Sequence, residues 1–346
     1  MDLEVLYRQV KESVSALDLG RIWPGFSPLK FALYDEKRCF FDGHWVEKTG
    51  AFLANTSIVY QGEQIAIWMV QEELKPSVLA SKLVHEMFHG YQRAAGWDLG
   101  LNELEALYRY EYKAENLCVK LRENELLLTL MGGFDADAFS ELLAHRKRRS
   151  IDFPYEYAYE SKVEEIEGTA NYVEWQVLRQ LDEAEAEALE ARMRAQLTAP
   201  ERLFPVRISG YFTGALMINA LLAVGTYRFE PSVRTAVLSA LAGVAPSNGD
   251  FPGRAELARS AAAAADAYNA ETDAIVRSAV ENGRVVLTGP AELKGLNVYN
   301  ARCRNGFMTS TYFLMYNDGS EDKVIPGNFV IEMQDEKTIA RVYLWE

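Results

Sequence analysis

The sequence predicts an α+β protein: a mainly helical domain with an N-terminal β-sheet, followed by a small antiparallel β module. Short aromatic-rich runs separated by turn dipeptides occupy residues 28–72, a pattern typical of strands. Helical periodicity dominates residues 77–281. After Gly283 the pattern returns to strands, punctuated by Asn305-Gly306 and Asp318-Gly319. We therefore expect one domain over residues 1–283 and a β module over residues 284–346.

The elements follow in order along the chain. Residues 1–20 are predicted to be a helix that ends at the proline- and glycine-containing stretch RIWPGFSPLK. Two hairpins come next: RCFF and HWVEK joined by Asp42-Gly43, and GAFLANTSIVY and EQIAIWMV joined by Gln61-Gly62, with KFALY as a preceding strand. Helices are predicted at 77–95, 102–131, 136–149, 158–181, 182–197, 209–224, 231–243 and 254–281. The C-terminal strands are predicted in VVLTG, GLNVYNARCR, FMTSTYFLMY, KVIPGNFVIEM and TIARVYLWE.

Composition limits the partners and the compartment. The net charge of −14, from 50 acidic and 36 basic residues, disfavours nucleic acid and anionic membranes as partners. The basic run HRKRR at 145–149 is interpreted as a solvated helix end, the alternative being a local binding patch. Three isolated cysteines indicate neither a disulfide framework nor a cysteine zinc site. With an acidic first turn instead of a signal peptide, and no bilayer-spanning apolar segment, the expected location is cytoplasmic.

The stretch LVHEMFHGYQ, residues 83–92, carries the clearest chemical pattern. On a helix, His85 and His89 lie one turn apart and can aim their imidazoles at one point, as two zinc ligands must. Glu86 lies beside them, where it can reach a water without being a ligand. The alternative is that these are ordinary surface or core histidines. Because the chain has only 4 histidines, two of them in this spacing are unlikely to result from composition alone.

A third ligand is available downstream in YESKVEEIEGTANYVEW, residues 159–175. Its acidic positions Glu160, Glu164 and Glu167 flank an apolar helical stripe. Acids beside a buried face are costly unless something compensates them, and a Zn²⁺ ion would do so. The alternative is a solvated acidic face.

HEMFH followed by EGTANYVE resembles the gluzincin metallopeptidases, in particular the peptidase MA-like group related to aminopeptidase N. The resemblance covers about residues 50–220 and implies a zincin-like fold. It implies His85 and His89 as zinc ligands, Glu86 as general base and Glu167 as third ligand, with Glu164 as the alternative ligand. The 78 positions between His89 and Glu167 exceed the separation common in gluzincins and require inserted helices.

Further roles follow from the same resemblance. Asn171 would support a zinc histidine, and Gly168 would let its helix approach a neighbour closely. Tyr211, between two glycines, would donate to the oxyanion. The strand containing Ala54–Ser57 would pair with the extended substrate backbone.

The sequence therefore predicts a zinc-dependent peptidase that hydrolyses peptide bonds of a peptide or protein substrate through a metal-activated water. One alternative is a zincin-fold binding protein without peptidase activity. Another is a helical scaffold in which HExxH is accidental. The downstream EGTA stretch argues against the scaffold, and the presence of every candidate ligand together with Glu86 argues against an inactive relative.

Overall fold

The aromatic runs near the N-terminus form a five-stranded mixed sheet in this computed structural model, which describes residues 2–97, 99–227, 229 and 235–345. The elements are α1 (Leu3–Ser15), α2 (Leu19–Ile22), β1 (Lys30–Tyr34), β2 (Cys39–Phe41), β3 (His44–Val46), β4 (Thr56–Tyr60) and β5 (Glu63–Met69). The strand order is β3-β2-β1-β5-β4, with β1 and β5 parallel and the other pairs antiparallel. Both predicted hairpins are confirmed: Asp42-Gly43 joins β2 to β3, and Gln61-Gly62 joins β4 to β5. The strand β4 therefore lies at one edge of the sheet.

The edge strand β4 is shorter than the sequence predicts. The run GAFLANTSIVY, residues 50–60, becomes a strand only at Thr56. Before that point, hydrogen bonds to side chains take the place of backbone hydrogen bonds between strands. The Asn55 side-chain oxygen accepts a hydrogen bond from the Met69 amide (2.7 Å), and the Ala54 carbonyl accepts one from the Tyr34 hydroxyl (3.0 Å). These bonds hold residues 54 and 55 in an irregular conformation.

Helices account for most of the chain between residues 76 and 282. They are α3 (Pro76–Ala94), α4 (Glu103–Arg109), α5 (Ala114–Gly132), α6 (Ala136–Asp152), α7 (Pro154–Val163), a π-helical turn (Glu164–Gly168), α8 (Thr169–Leu181), α9 (Glu183–Thr198), α10 (Val206–Ala223), α11 (Ala236–Ser239) and α12 (Arg254–Asn282). The helix predicted at 158–181 is present, begins earlier at Pro154 and contains an unpredicted π turn. Of the helix predicted at 231–243, residues 231–234 lie outside the described residues, and only Ala236–Ser239 is helical among the rest.

The helix predicted at 102–131 is two helices, because the chain leaves helical geometry at Tyr110. This residue has extended backbone angles and a buried side chain. Its hydroxyl donates to the buried carboxylate of Glu160 (2.6 Å). One continuous helix could not place the Tyr110 hydroxyl against Glu160 and also pack the apolar face of α5. The tertiary contact therefore overrides the local preference for a helix.

The helix α3 lies at the centre of the main core. Its side chains Leu79, Leu83, Val84, Met87 and Phe88 are fully buried, and α3 packs on α8, α1 and the strands β4 and β5. In the described residues, α10 is the one helix long and apolar enough to cross a bilayer by length and composition, and 61% of it is buried inside the protein, as in a core helix.

The basic run at 145–149 is not a solvated helix end; that interpretation was wrong. Arg146 and Arg149 are both 1% exposed. Arg146 makes two hydrogen bonds to Glu164 (2.7 and 2.8 Å), and Arg149 pairs with Glu123 (2.8 Å) and Glu160 (2.5 Å). Arg146 and Arg149 are buried because acids of α5 and of the following helical segment pair with them, so these two cations are unavailable to nucleic acid.

The C-terminal strands form a seven-stranded antiparallel sheet of β6 (Val285–Leu296), β7 (Cys303–Arg304), β8 (Phe307–Ser310), β9 (Phe313–Asn317), β10 (Asp322–Pro326), β11 (Phe329–Met333) and β12 (Thr338–Leu344). Their order is β10-β9-β6-β12-β11-β8-β7. Two runs predicted as single strands are each divided, at Tyr312 (φ 68°) and at Gly327 (φ 137°), where the backbone turns through left-handed geometry. This sheet packs against α12 and α4, which places it next to the helical layer.

Glu160 allows a test of the buried ion pairs. Burial raises its pKa, but Arg149 and Lys120 outweigh burial and lower it to about 2 from an ordinary value of 4.5. A carboxyl with a depressed pKa stabilises the fold above its unfolded pKa and loses that contribution as the pH falls. We expect Glu160→Gln to lower the free energy of unfolding by about 3–5 kcal/mol at neutral pH, because it leaves two buried cations short of a partner.

Denaturant titrations between pH 7 and pH 2 measure this difference. The wild type and Glu160→Gln should converge as the pH falls from 4.5 towards 2. Glu187→Gln removes a carboxylate that is exposed, on α9, and serves as the control. A pH-independent difference would show that the charge of Glu160 is not what stabilises the fold.

Candidate metal centre

The buried helix α3 fixes the two histidines of the HExxH pattern. His85 is 7% exposed and His89 is half-buried. Their Nε2 atoms face each other at 3.2 Å, one turn apart on the helix. The apolar side chains around them hold α3 in the core, so the rings have little freedom to turn away from each other.

The π turn brings Glu167 to the histidines. Its Oε2 lies 3.2 Å from His89 Nε2 and 3.8 Å from His85 Nε2. One ligand atom from each of the three residues lies within 4.8 Å of the others. Ligand atoms bound tetrahedrally at about 2.0–2.1 Å from zinc lie about 3.3 Å apart. The observed separations therefore fit a metal site that these residues could form.

The hydrogen bonds of Gln92 determine the tautomer of His89. The Gln92 amide nitrogen donates to the Ile166 carbonyl and to the Thr169 hydroxyl, both at 2.9 Å. Its Oε1 must then face His89 Nδ1, which lies 2.8 Å away. An acceptor at this position requires a proton on Nδ1, so in the neutral ring Nε2 carries the lone pair that a metal ion would bind.

Glu174 plays the corresponding role for His85. Its Oε2 lies 3.1 Å from His85 Nδ1, although the contact is an ion pair without the geometry of a good hydrogen bond. Lys82 lies 3.6 Å from the other oxygen of Glu174. Carboxylates and amides that face the remote nitrogen of a metal-binding histidine orient the ring and raise its basicity.

The electrostatics of the cluster favour a cation. Burial lowers the pKa of His85, but Glu167 and Glu174 outweigh burial and raise it to about 10. The same histidines, with Arg207, hold the pKa of Glu167 well below its ordinary range despite burial. Two imidazole nitrogens and a carboxylate oxygen that converge at 3.2–3.8 Å need a shared positive charge, which a proton or a metal ion can supply. The donor set of the structure thus fits a metal ion.

Glu86 lies next to the cluster without joining it. Its side chain is half-buried, and no hydrogen bond to its carboxylate occurs within the described ranges. Burial raises its pKa, while His85 and His89 lower it. A carboxylate in such a position is able to accept a proton from a group bound between it and the cluster.

Tyr211 also reaches the cluster, on α10. Its ring is parallel to that of His85, with 6.2 Å between the centroids. Arg207, one turn earlier, donates to the Tyr211 hydroxyl (2.5 Å), to Glu167 Oε1 (2.7 Å) and to Glu103 (2.9 Å). Sequence reasoning missed Arg207 and Glu103. The available signal was an arginine one turn before Tyr211 at the start of an apolar helix.

The remaining predicted residues have different positions from those expected. Glu164, the alternative third ligand, is paired with Arg146 on the opposite side of the π turn, so it does not contact the histidines. The Asn171 side chain donates to the Tyr211 carbonyl (3.2 Å), so the expected support for a zinc histidine is wrong for this residue. Glu174 and Gln92 occupy that role instead, and neither was predicted.

Close helix contact at glycines holds these groups together. A Cβ on Gly168 would lie 2.4 Å from the Gly214 Cα, and a Cβ on Gly214 would lie 2.6 Å from the Glu164 carbonyl oxygen. The backbone of α10 therefore touches the π turn directly, as expected for Gly168. The contact places Tyr211 close to the cluster of His85, His89 and Glu167.

Comparisons with known proteins do not extend this description. No protein-family model, no curated protein and no solved structure matches the chain.

The glycine contact gives a stability prediction. Gly214→Ala should lower the free energy of unfolding by about 1–3 kcal/mol, because the added methyl group meets backbone atoms that cannot move independently. The control is Gly132→Ala at the end of α5, where an added Cβ meets nothing within 4 Å. This control should be neutral or stabilise by up to about 1 kcal/mol. Thermal and urea unfolding measure both, and equal effects of the two substitutions would contradict the proposed contact.

Two of the three glutamates in the π turn, Glu164 and Glu167, give a matched pair for metal binding. Both are buried and each pairs with one arginine, but only Glu167 faces the histidines. We expect Glu167→Gln to weaken Zn²⁺ or Co²⁺ binding by more than the roughly 10–100-fold that loss of an outer partner costs. Glu164→Gln should bind as the wild type does. Elemental analysis and titration with the metal measure this, and a loss in both variants or in neither would contradict the assignment.

Proposed function

We propose that this protein is a zinc-dependent peptidase of the gluzincin type with a zincin-like fold. The observation that carries the proposal is the convergence of His85, His89 and Glu167. Gln92 forms a hydrogen bond with the remote nitrogen of His89, and Glu174 faces that of His85. Two histidines and a carboxylate with a position open to water are the donor set of catalytic zinc sites. The same set would also accept manganese or cobalt.

The residues have distinct roles in this proposal. His85, His89 and Glu167 would hold the zinc ion, which when bound lowers the pKa of water and polarises a substrate carbonyl. Glu86 takes the proton from the attacking water and delivers it to the leaving amine. Its partial burial and raised pKa suit a group that must both accept and release a proton.

Tyr211 is the proposed donor to the oxyanion. Burial and the charge of Glu167 raise its pKa well above the ordinary value, so the phenol stays protonated at neutral pH. Arg207 donates to the hydroxyl oxygen, so Tyr211 keeps its own hydrogen as a donor, and that hydrogen interacts with Glu167 in this structure. Arg207 is a positioning residue here, because it also fixes one oxygen of Glu167 and is itself fixed by Glu103.

The edge strand β4 is the proposed partner of the substrate backbone. It lies at the edge of the sheet and contacts α3. Within the predicted segment Ala54–Ser57, the carbonyls of Ala54 and Ser57 already accept hydrogen bonds from Tyr34 and Arg93. Substrate pairing would therefore use the neighbouring backbone groups of the strand.

The convergence of the ligand atoms argues against an accidental HExxH on a helical scaffold, because the three side chains, from two separate helical segments, meet at the separations that a shared zinc ion would produce. A zincin-fold binding protein without activity has the same ligands, so an activity measurement separates it from a peptidase.

Substitutions of Glu86 and Tyr211 test for peptidase activity. We expect Glu86→Gln to retain the bound metal and to lower kcat by at least the roughly 10²–10⁴-fold that general acid–base catalysis contributes. Tyr211→Phe should lower kcat by about 10²–10³-fold, the cost of one oxyanion donor. A synthetic peptide library analysed by mass spectrometry for new termini, with zinc-loaded wild type, measures cleavage. Absence of cleavage by metal-loaded wild type, or full activity of Glu86→Gln, would refute the proposal.

A further inference from the structure

The C-terminal sheet contributes one side chain to the surroundings of the candidate metal centre. Tyr299 lies in the connection between β6 and β7, and its ring contacts that of Tyr211 edge-on, with 6.1 Å between the centroids. Tyr211 in turn lies parallel to His85. Three rings thus lead from a candidate metal ligand to the β module, for which the sequence suggested no role.

Tyr299 is held in a well-fixed loop. Its amide donates to the Asn297 side chain (3.2 Å), whose nitrogen donates to the Thr311 hydroxyl (3.0 Å). Thr311 donates to Asn300 (2.9 Å), and Arg302 pairs with Glu271 on α12 (2.9 Å). These bonds fix the loop against both its own sheet and the helical layer, so the position of Tyr299 is set before any ligand binds.

The exposure of Tyr299 distinguishes it from its neighbours in the loop. Ala301 is 1% exposed, whereas Tyr299 is 48% exposed. Among the described residues, no hydrogen bond involves the Tyr299 hydroxyl, so packing and hydrogen bonding alone do not account for a large aromatic side chain here. A half-exposed ring next to a group of catalytic residues is typical of a surface that contacts a ligand.

A nearby cavity is too small to take this role. It lies between α4, α10, α12 and the same loop, is lined by Arg207 and Val298 among others, and has a volume of about 50 Å³. A single water requires about 10–15 Å³ measured in this way, so the cavity holds a few waters and no large side chain. Of the two rings that contact Tyr211 in the described part of the chain, those of His85 and Tyr299, the exposed one is that of Tyr299.

We propose that Tyr299 determines specificity, by stacking against an aromatic or large apolar side chain of the substrate residue next to the scissile bond. This inference rests on the proposed peptidase function. It assigns the C-terminal sheet a part in the active site, because one of its loops then forms a wall of the substrate cleft. Tyr299 is not a catalytic residue in this proposal and takes no part in proton transfer.

Amino-acid hydroxamates test the inference without knowledge of the substrate, since they chelate an active-site zinc ion and place a chosen side chain beside it. The measurement is the Kd of phenylalanine hydroxamate and of glycine hydroxamate for the zinc-loaded protein, by calorimetry. Tyr299→Ala should weaken phenylalanine hydroxamate by roughly 3- to 10-fold, the range for one aromatic pair, and leave glycine hydroxamate unchanged. Tyr299→Phe should retain the wild-type preference.

Tyr312→Ala is the matched control. This tyrosine lies in the same module and is 73% exposed, and no contact of its ring with the helical layer occurs in the described part of the chain. It should leave both affinities unchanged. Suppose that Tyr299→Ala binds both glycine hydroxamate and phenylalanine hydroxamate with wild-type affinity. This result would overturn the inference and leave the peptidase proposal intact. Failure of both hydroxamates to bind zinc-loaded wild type would overturn the proposed function together with the inference.

Discussion

Six carboxylates are buried on one continuous helical segment, and the need to compensate them organises the helices around it. They are Glu156, Glu160, Glu164, Glu165, Glu167 and Glu174. An ionised carboxylate removed from water without a partner costs several kcal/mol, which is comparable to the net stability of a domain, so these groups must meet cations or hydrogen-bond donors. The partners come from different elements, which ties the position of every neighbouring helix to this segment.

Different residues compensate the individual carboxylates. Glu160 pairs with Lys120 of α5 and Arg149 of α6, and Glu164 pairs with Arg146 of α6. The Tyr227 hydroxyl and the Ala236 amide donate to Glu165. Glu167 alone faces two histidines as well as an arginine, and so it is the one carboxylate whose surroundings leave a place for an added cation.

The π turn explains how neighbouring acids reach such different partners. An extra residue in the turn alters the angular spacing of side chains along the helix. Glu164 then faces the arginines of α6, while Glu167 faces α3. The bare backbones of Gly168 and Gly214 let α10 lie against this turn, so the tyrosine of α10 lies beside His85. Local irregularity and close packing thus act together to assemble the site.

The sequence alone determined the elements with strong local signals. The turn dipeptides Asp42-Gly43 and Gln61-Gly62 placed the first two hairpins, because the turn requires φ > 0 and glycine adopts it without strain. The helical spacing of His85 and His89 placed both on one side of α3, since i and i+4 positions are neighbours on any α-helix. Helical periodicity located α3, α9 and α12 within a few residues, and the change of pattern after Gly283 located the second sheet.

Only the tertiary structure decided what depends on contacts distant in sequence. Which of Glu164 and Glu167 faces the histidines depended on Arg146, and the orientation of the Gln92 amide beside His89 depended on atoms of residues 166 and 169. The burial of the basic run, the break at Tyr110 and the contact of Tyr299 with Tyr211 have the same origin. None of these features produces a recognisable pattern in the local sequence. The reason is that electrostatic compensation and packing act between residues that come together only when the chain folds.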